Sequence, residues 1–236
     1  MPLWRADLHV HTVLSACAGA DMIPPLLVSR AAERGLNLLG IVDHNSAGNA
    51  RSVIQAAAQS GLVVKPGLEV ETKETVHLVC LFDTADQALD LQDLIYRHLP
   101  TLPPGASGRS LGPQRLVDAE GQVLSCEERP LFMACDLSAA QAAKAARDRG
   151  GLVIAAHVDR RAHGLLGVLG FAPADLLLDA LEAGPGGLAP GQVASSDAHR
   201  LPEIGTRHIL FEADSCTVER LARTLSRGDF RAGVAL

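Results

Sequence analysis

Trp4-Arg5-Ala6-Asp7-Leu8-His9-Val10-His11 is the stretch on which the reading of this chain turns. It reads as a strand that ends in two imidazoles two residues apart. In an extended strand, residues i and i+2 share a face, so His9 and His11 project towards one point. By itself an HxH pair says little, because a core or solvated pair satisfies it as well as a metal site does. Its weight depends on what the rest of the chain brings to the same place.

Working outward, further short apolar runs read as strands: Leu38–Val42, Leu62–Lys65, Val76–Phe82, Leu152–Ala156, Ala180–Glu182, Gln192–Ser195 and His208–Phe211. Between them Pro24–Arg34, Ala50–Ser60, Ala85–His98, Ser138–Arg149 and Cys216–Arg227 carry amphipathic helical patterns. Pro24 and Pro25 suit a helix start, Ser138 suits an N-cap, and Gly35, Gly61 and Gly150 sit where helices should stop. Strand–helix alternation predicts an α/β fold of parallel strands with helices outside. Leu99–Asp136 interrupts the rhythm with LPTLPPGASGRSLGP and a hairpin-like pair turning at Ala119-Glu120-Gly121. It reads as an excursion from the barrel: a lid, a partner-binding element or a plain surface loop.

Histidines and carboxylates recur at the strand ends. Asp43-His44 follows one strand, Glu69 follows Leu62–Lys65, His77 opens Val76–Phe82 and His157 ends Leu152–Ala156. Ser195-Ser-Asp197-Ala-His199 follows the run from Gln192. In a barrel of parallel strands the C-terminal ends meet at one face, where active sites are built. Imidazoles with a few carboxylates suit Zn²⁺, Mn²⁺ or Fe²⁺ better than Ca²⁺ or Mg²⁺. One such ion takes about four protein ligands, so His9, His11, His44, Glu69, His77, His157, Asp197 and His199 imply two or three metals sharing a carboxylate.

Taken as an ordered set, DLHVHT, VDHNS, GLEVE, the lone His77, AAHVDR and SSDAH resemble the motifs of the PHP (polymerase and histidinol phosphatase) superfamily, over residues 7 to 199. The resemblance implies a distorted (β/α)7, TIM-like barrel, with the excursion at about 99–136 inserted in a single domain over 1–236. It also implies a trinuclear site and histidinol-phosphatase-like hydrolysis of phosphoric esters. On that pattern the first metal takes His9, His11, Glu69 and Asp197. The second shares Glu69 and adds His77 and His157. The third takes His44, His199 and one ligand from the loop after His11. Many relatives place a His or Asp in that loop, five to seven residues beyond the second His. Here Cys17 stands six residues on, and Asp21 farther still. Cys17 is either a thiolate ligand or a small loop residue beside an under-occupied site.

Arg160 and Arg200, each close behind a candidate ligand, are candidates to hold substrate phosphate. Asp43 is expected to brace a ligating imidazole, and Asp159 to do the same or lie exposed. Glu71 competes with Glu69 as the bridge, though Glu69 fits the family's Gly-x-Glu pattern. His98, His163 and His208 fall outside the motifs and read as structural or solvated, and Cys80 as a core residue.

The composition bounds the rest. The 236 residues are 47% hydrophobic with one Trp, one Tyr and five Phe, so aliphatic side chains and alanine must fill the core. A formal charge of −6 argues against duplex nucleic acid or an anionic membrane as partner. No run is long enough to span a bilayer, and nothing near Met1 resembles a signal peptide. Five scattered cysteines without a CxxC pair read as a reduced, cytoplasmic protein. The expected activity is hydrolysis of a small phosphorylated substrate through a metal-bridging hydroxide. One alternative is a nucleotide phosphatase or an exonuclease on short oligonucleotides. Another is a non-catalytic metal-binding regulatory or scaffold module, with 99–136 facing a protein partner.

Overall fold

The computed structural model describes residues 1–103, 112–184 and 187–234. In chain order the elements are β1 (Leu3–Val10), α1 (Pro24–Glu33), β2 (Leu38–His44), α2 (Ala50–Ala57), β3 (Val63–Glu71), β4 (His77–Leu81) and α3 (Ala85–His98). The small pair β5 (Arg115–Val117) and β6 (Val123–Cys126) follows. Then come α4 (Ala139–Asp148), β7 (Leu152–Ala155), α5 (Leu165–Leu169), β8 (Ala180–Leu181), β9 (Arg207–Glu212), α6 (Val218–Arg227) and β10 (Arg231–Val234). Eight strands form one curled sheet in the order β10-β9-β1-β2-β3-β4-β7-β8, a half-barrel of the distorted TIM-like kind. Residues 192–198, expected to contribute a strand over Gln192–Ser195, instead make isolated parallel bridges, Val193 to Glu182 and Ala198 to Val10. This segment thereby joins the open side of β8 to β1.

The expectation of uniformly parallel strands needs correction. β1, β2 and β3 are parallel, but β4 is antiparallel to both β3 and β7, and β9 is antiparallel to both β1 and β10. β3 passes into β4 through a short turn with no crossover helix. Antiparallel reversal is what brings His77, the first residue of β4, to the end of the sheet where His44 finishes β2 and Glu69 lies beside it near the end of β3.

β2 is buried along its length until His44, as a strand covered on both faces must be, and its run Leu-Leu-Gly-Ile-Val is correspondingly apolar. β3 continues through Pro66, six residues past its expected end at Lys65. The missing donor at Pro66 is tolerated because its carbonyl still accepts from Phe82 N at 2.8 Å. Capping boxes at Thr84/Gln87 and Ser138/Gln141 start α3 and α4. α4 packs through Ala139, Ala142, Ala143 and Ala146, small enough to bring its axis close to the sheet.

Within the excursion, the hairpin turns at Gly121 (φ 84°), where the sequence places it. Residues 104–111 lie outside the described residues. What is described is tied down. Val117 N donates to Asn49 Oδ1 at 3.0 Å, Ser52 Oγ to Val117 O at 2.7 Å, and Asn45 Nδ2 to the carbonyls of Leu131 and Met133 at 2.9 Å each. These bonds hold the excursion across the ends of the strands. Among the described residues no helix is long and apolar enough to cross a membrane.

Candidate metal centre

At the ligand end of the half-barrel Glu69, 1% exposed, occupies the middle. Its Oε1 lies 2.7 Å from His77 Nδ1, 3.2 Å from His157 Nε2 and 3.4 Å from His9 Nε2. Its Oε2 lies 2.9 Å from His44 Nδ1 and 3.4 Å from His11 Nε2. Asp197 Oδ1 stands 3.3 Å from the Nε2 atoms of both His9 and His11, which are themselves 3.2 Å apart. His199 completes the group, its ring stacked on His11 at 4.0 Å between centroids. The eight residues singled out by the strand-end pattern therefore converge, and Glu69 faces five of the six imidazoles. Glu71 meets only His77, at 3.8 Å, and His163, at 3.4 Å, so it stands at the edge of the group and not at its centre.

Positive charge and burial compete here. Burial pushes the Glu69 carboxyl up, but His77, His9 and His44 hold it well below the usual range. Burial works against a charged His9, yet Glu182, Asp197 and Glu69 keep it well above the ordinary imidazole value. For His11, burial and the neighbouring His199 push the other way, well below it. His9 and His11 Nε2, 3.2 Å apart, cannot both donate across their short gap, and Glu69 Oε2 is buried without a hydrogen-bond partner. A cation among these nitrogen and oxygen atoms satisfies what hydrogen bonds leave open, and the donor set fits a borderline divalent metal. Among the described residues four compact groups meet the spacing for one ion each: His9/His11/Glu69, His44/Glu69/His77 and His11/His44/His199 within the cluster, and Glu71/His77/His163 at its edge.

Several residues brace this centre. Both oxygens of buried Glu182 lie 3.2 Å from His9 Nδ1, and Oε1 also accepts from His157 N. Glu182 escapes the motif reading, although it ends a strand as His44 does. Asp43 reaches no imidazole directly. It accepts from Thr12 N, Thr12 Oγ1 and Ser15 Oγ, each at 2.7 Å, and Ser15 Oγ sits 2.9 Å from His11 Nδ1. Asp7 holds Ser196 and Gly205, fixing the segment that carries Asp197 and His199. Asp197 and His157 have positive φ, 52° and 30°, a region that L side chains seldom adopt and that is over-represented at functional sites.

Cys17 Sγ is 3.4 Å from His44 Nε2. Burial would raise its thiol, but bonds from His199 and His44 bring it down to about 6. Arg160 Nη1 donates to Asp197 Oδ2 at 2.9 Å, so this arginine is partly engaged by a ligand carboxylate. Arg200 is exposed and does not line the cavity. Asp159 accepts from Gly184 N. Of the histidines outside the motifs, His98 pairs with Asp136 and His208 is buried with Nδ1 on Gly205 O. His163 is neither merely structural nor merely solvated: it stacks on His77 at 4.4 Å and faces the cavity. That cavity, of about 680 Å³, opens over His44, His77 and Asp197 and is walled by Leu131 and Phe132 of the excursion.

Residues 7–103 match the PHP domain model and 191–230 the PHP-associated model. A 3',5'-nucleoside bisphosphate phosphatase of Chromobacterium violaceum is 37% identical over 87 residues, covering 35% of this chain and 30% of that protein. The fold is similar to that of the lesion-specific endonuclease Q of Pyrococcus furiosus (TM-score 0.69, 19% identity, 98% of this chain and 58% of that one). It is also similar to a Bifidobacterium adolescentis protein described as a metal-dependent phosphoesterase (TM-score 0.55, 17% identity, 98% and 97%). This chain thus spans under a third of the phosphatase and just over half of the endonuclease. Endonuclease Q has been solved with a 27-mer duplex whose abasic lesion lies at the active site (TM-score 0.70, 18% identity, 99% and 58%). The expectation that duplex nucleic acid is no partner therefore does not stand. It rested on a net charge of −6, and the sum of all charges does not report the field at one mouth.

Proposed function

We propose, from the premise that this chain belongs to the PHP family, that it is a metal-dependent phosphoesterase acting on a small phosphate monoester, in the manner of histidinol phosphatases. The observation that carries this reading is Glu69, with both oxygens buried among five imidazole nitrogens. His9, His11, Glu69 and Asp197 would hold one metal, Glu69, His77 and His157 a second, and His44, His199 and Cys17 a third, with Zn, Mn or Fe as the ions. Such ions supply an acidified water and positive charge for phosphoryl oxygens.

The chain's own residues then set the geometry. Glu69 offers one oxygen to each side of the cluster. Glu182 fixes the tautomer of His9, and the relay Asp43–Ser15 fixes the ring of His11. Arg160 keeps Asp197 in place and has guanidinium donors left for a substrate oxygen. Leu131 and Phe132 shield the mouth from water. All five cysteines are unpaired, which suits a reducing compartment such as the cytoplasm.

A second reading, cleavage of nucleotides or short oligonucleotides, draws support from the bisphosphate phosphatase and the endonuclease among its relatives. A phosphate-release panel tests both. Metal-loaded protein is offered sugar phosphates, nucleotides, a labelled trinucleotide and an abasic duplex. Turnover of monoesters that disappears in His9→Ala is the expected outcome. Preference for the trinucleotide or duplex selects the second reading, and turnover surviving His9→Ala removes the metal assignment.

A further inference from the structure

Beside the main cavity lies a smaller hollow of about 240 Å³, sharing His157, Arg160, Ser196 and Asp197 with it and walled on the far side by Ser195, Gly184 and Arg207. Nothing in the metal chemistry above uses Ser195 or Arg207. Ser195 is 1% exposed, and its Oγ is buried without a hydrogen-bond partner. A buried hydroxyl left unpaired is costly, and a ligand oxygen in the hollow would relieve it.

Arg207 reaches the hollow for a topological reason. It is the first residue of β9, which runs antiparallel to β1, so it stands at the same end of the sheet as His9. One of its five N–H donors goes to Gly184 O at 3.1 Å. Among the described residues it makes no other hydrogen bond or ion pair, which leaves most of its fork free. Arg160, tied through Nη1 to Asp197, closes the side towards the metal cluster.

The two carboxylates on the wall do not make the hollow a cation site. Glu182 is engaged by His9 and by the backbone of His157, and Asp197 by Arg160, His9 and His11. The donors still open belong to Arg207, Ser195 and Arg160. Two guanidiniums and a hydroxyl around a space of this size match a tetrahedral oxyanion, and Arg is suited to grip one through two parallel bonds.

We infer that this hollow takes the second phosphate of a bisphosphorylated small molecule while its first phosphate lies at the metal cluster. The inference rests on the phosphomonoesterase reading above and narrows it to substrates carrying two phosphates. Arg207 and Ser195 then act as specificity residues, remote from the bond that breaks.

The test compares kcat/KM for a nucleoside 3',5'-bisphosphate with kcat/KM for the corresponding monophosphate, in wild type, Arg207→Ala and Ser195→Ala. A ratio between substrates is insensitive to the fraction of each preparation that folds. The wild type should favour the bisphosphate, and Arg207→Ala should cut that preference about 10- to 100-fold, as loss of charge-assisted bonds does. Ser195→Ala should cut it less, by about 3- to 10-fold. A ratio unchanged in both variants, or no preference in the wild type, overturns the inference. Calorimetric binding of the same two compounds separates the two levels of the argument. Arg207-dependent preference in binding without turnover of either compound would condemn the hydrolytic reading and leave the subsite standing.

Discussion

His9 Nδ1 faces both oxygens of Glu182 at 3.2 Å, which leaves Nε2 as the nitrogen turned towards Glu69 and Asp197. Glu182→Gln keeps the shape and removes the charge, so metal affinity should fall about 10- to 100-fold in a chelator competition. Unchanged affinity would mean that Glu182 merely fills space. Cys17 gives a second measurement at this scale. In metal-free protein its thiol, brought down to about 6 by His199 and His44, should react with iodoacetamide at half its maximal rate near pH 6. The thiolate fraction rises with pH through that value, so the rate should be low at pH 5 and near its plateau at pH 7. Bound metal should protect Cys17 if it is a ligand. Burial raises the thiols of Cys80, Cys135 and Cys216, so these should lag behind. The ligands themselves are legible in sequence because imidazoles and carboxylates at strand ends have few other reasons to recur. Glu182 obeys the same rule, ending the run Ala180–Glu182. Spacing alone does not separate a carboxylate that binds an ion from one that braces an imidazole, so its role emerges only in space. Ser15 and Arg207 carry no sequence mark at all, since their use depends on what faces them.

Strand direction is the decisive property of the elements. His77 at the start of β4 and Arg207 at the start of β9 reach the ligand end only because those strands run backwards. Periodicity marks a strand but not its sense, which is why an all-parallel reading is natural from sequence and wrong for β4 and β9. The end of β3 is obscured for another reason: Pro66 reads as a stop, while the sheet tolerates it by using its carbonyl. Gly67 next to it is needed for packing. A Cβ there would collide with the carbonyl oxygen of Cys80 on β4 and press on Leu81 and Val42. Gly67→Ala should therefore destabilise the protein by about 2–3 kcal/mol in urea unfolding, with the loss centred on the β3–β4 pair that positions Glu69 and His77. A change under about 0.5 kcal/mol would show that the two strands can separate without cost. The excursion is legible as an interruption and as a hairpin at Gly121. Its anchoring through Asn45, Asn49 and Ser52 is not, because those contacts join residues far apart in the chain.

At the scale of the whole molecule, charge and composition bound the class of protein without choosing its partner. A net charge of −6 does not describe the field at one mouth, and a protein of similar fold holds duplex DNA. On the subsite proposed above, specificity would rest on Arg160 and Arg207 near that mouth. The central claim is that Glu69 gathers a multinuclear metal cluster on which phosphoester cleavage depends. Its most direct test is a titration of chelator-stripped protein with Mn²⁺, Zn²⁺ or Fe²⁺, reading phosphate release from an aryl phosphate against equivalents of metal bound. The cluster account predicts no turnover in the stripped protein, turnover that rises as the second equivalent is taken up, and at least one equivalent fewer bound by Glu69→Gln. Turnover that survives stripping, or that saturates with less than one metal per chain, would contradict it.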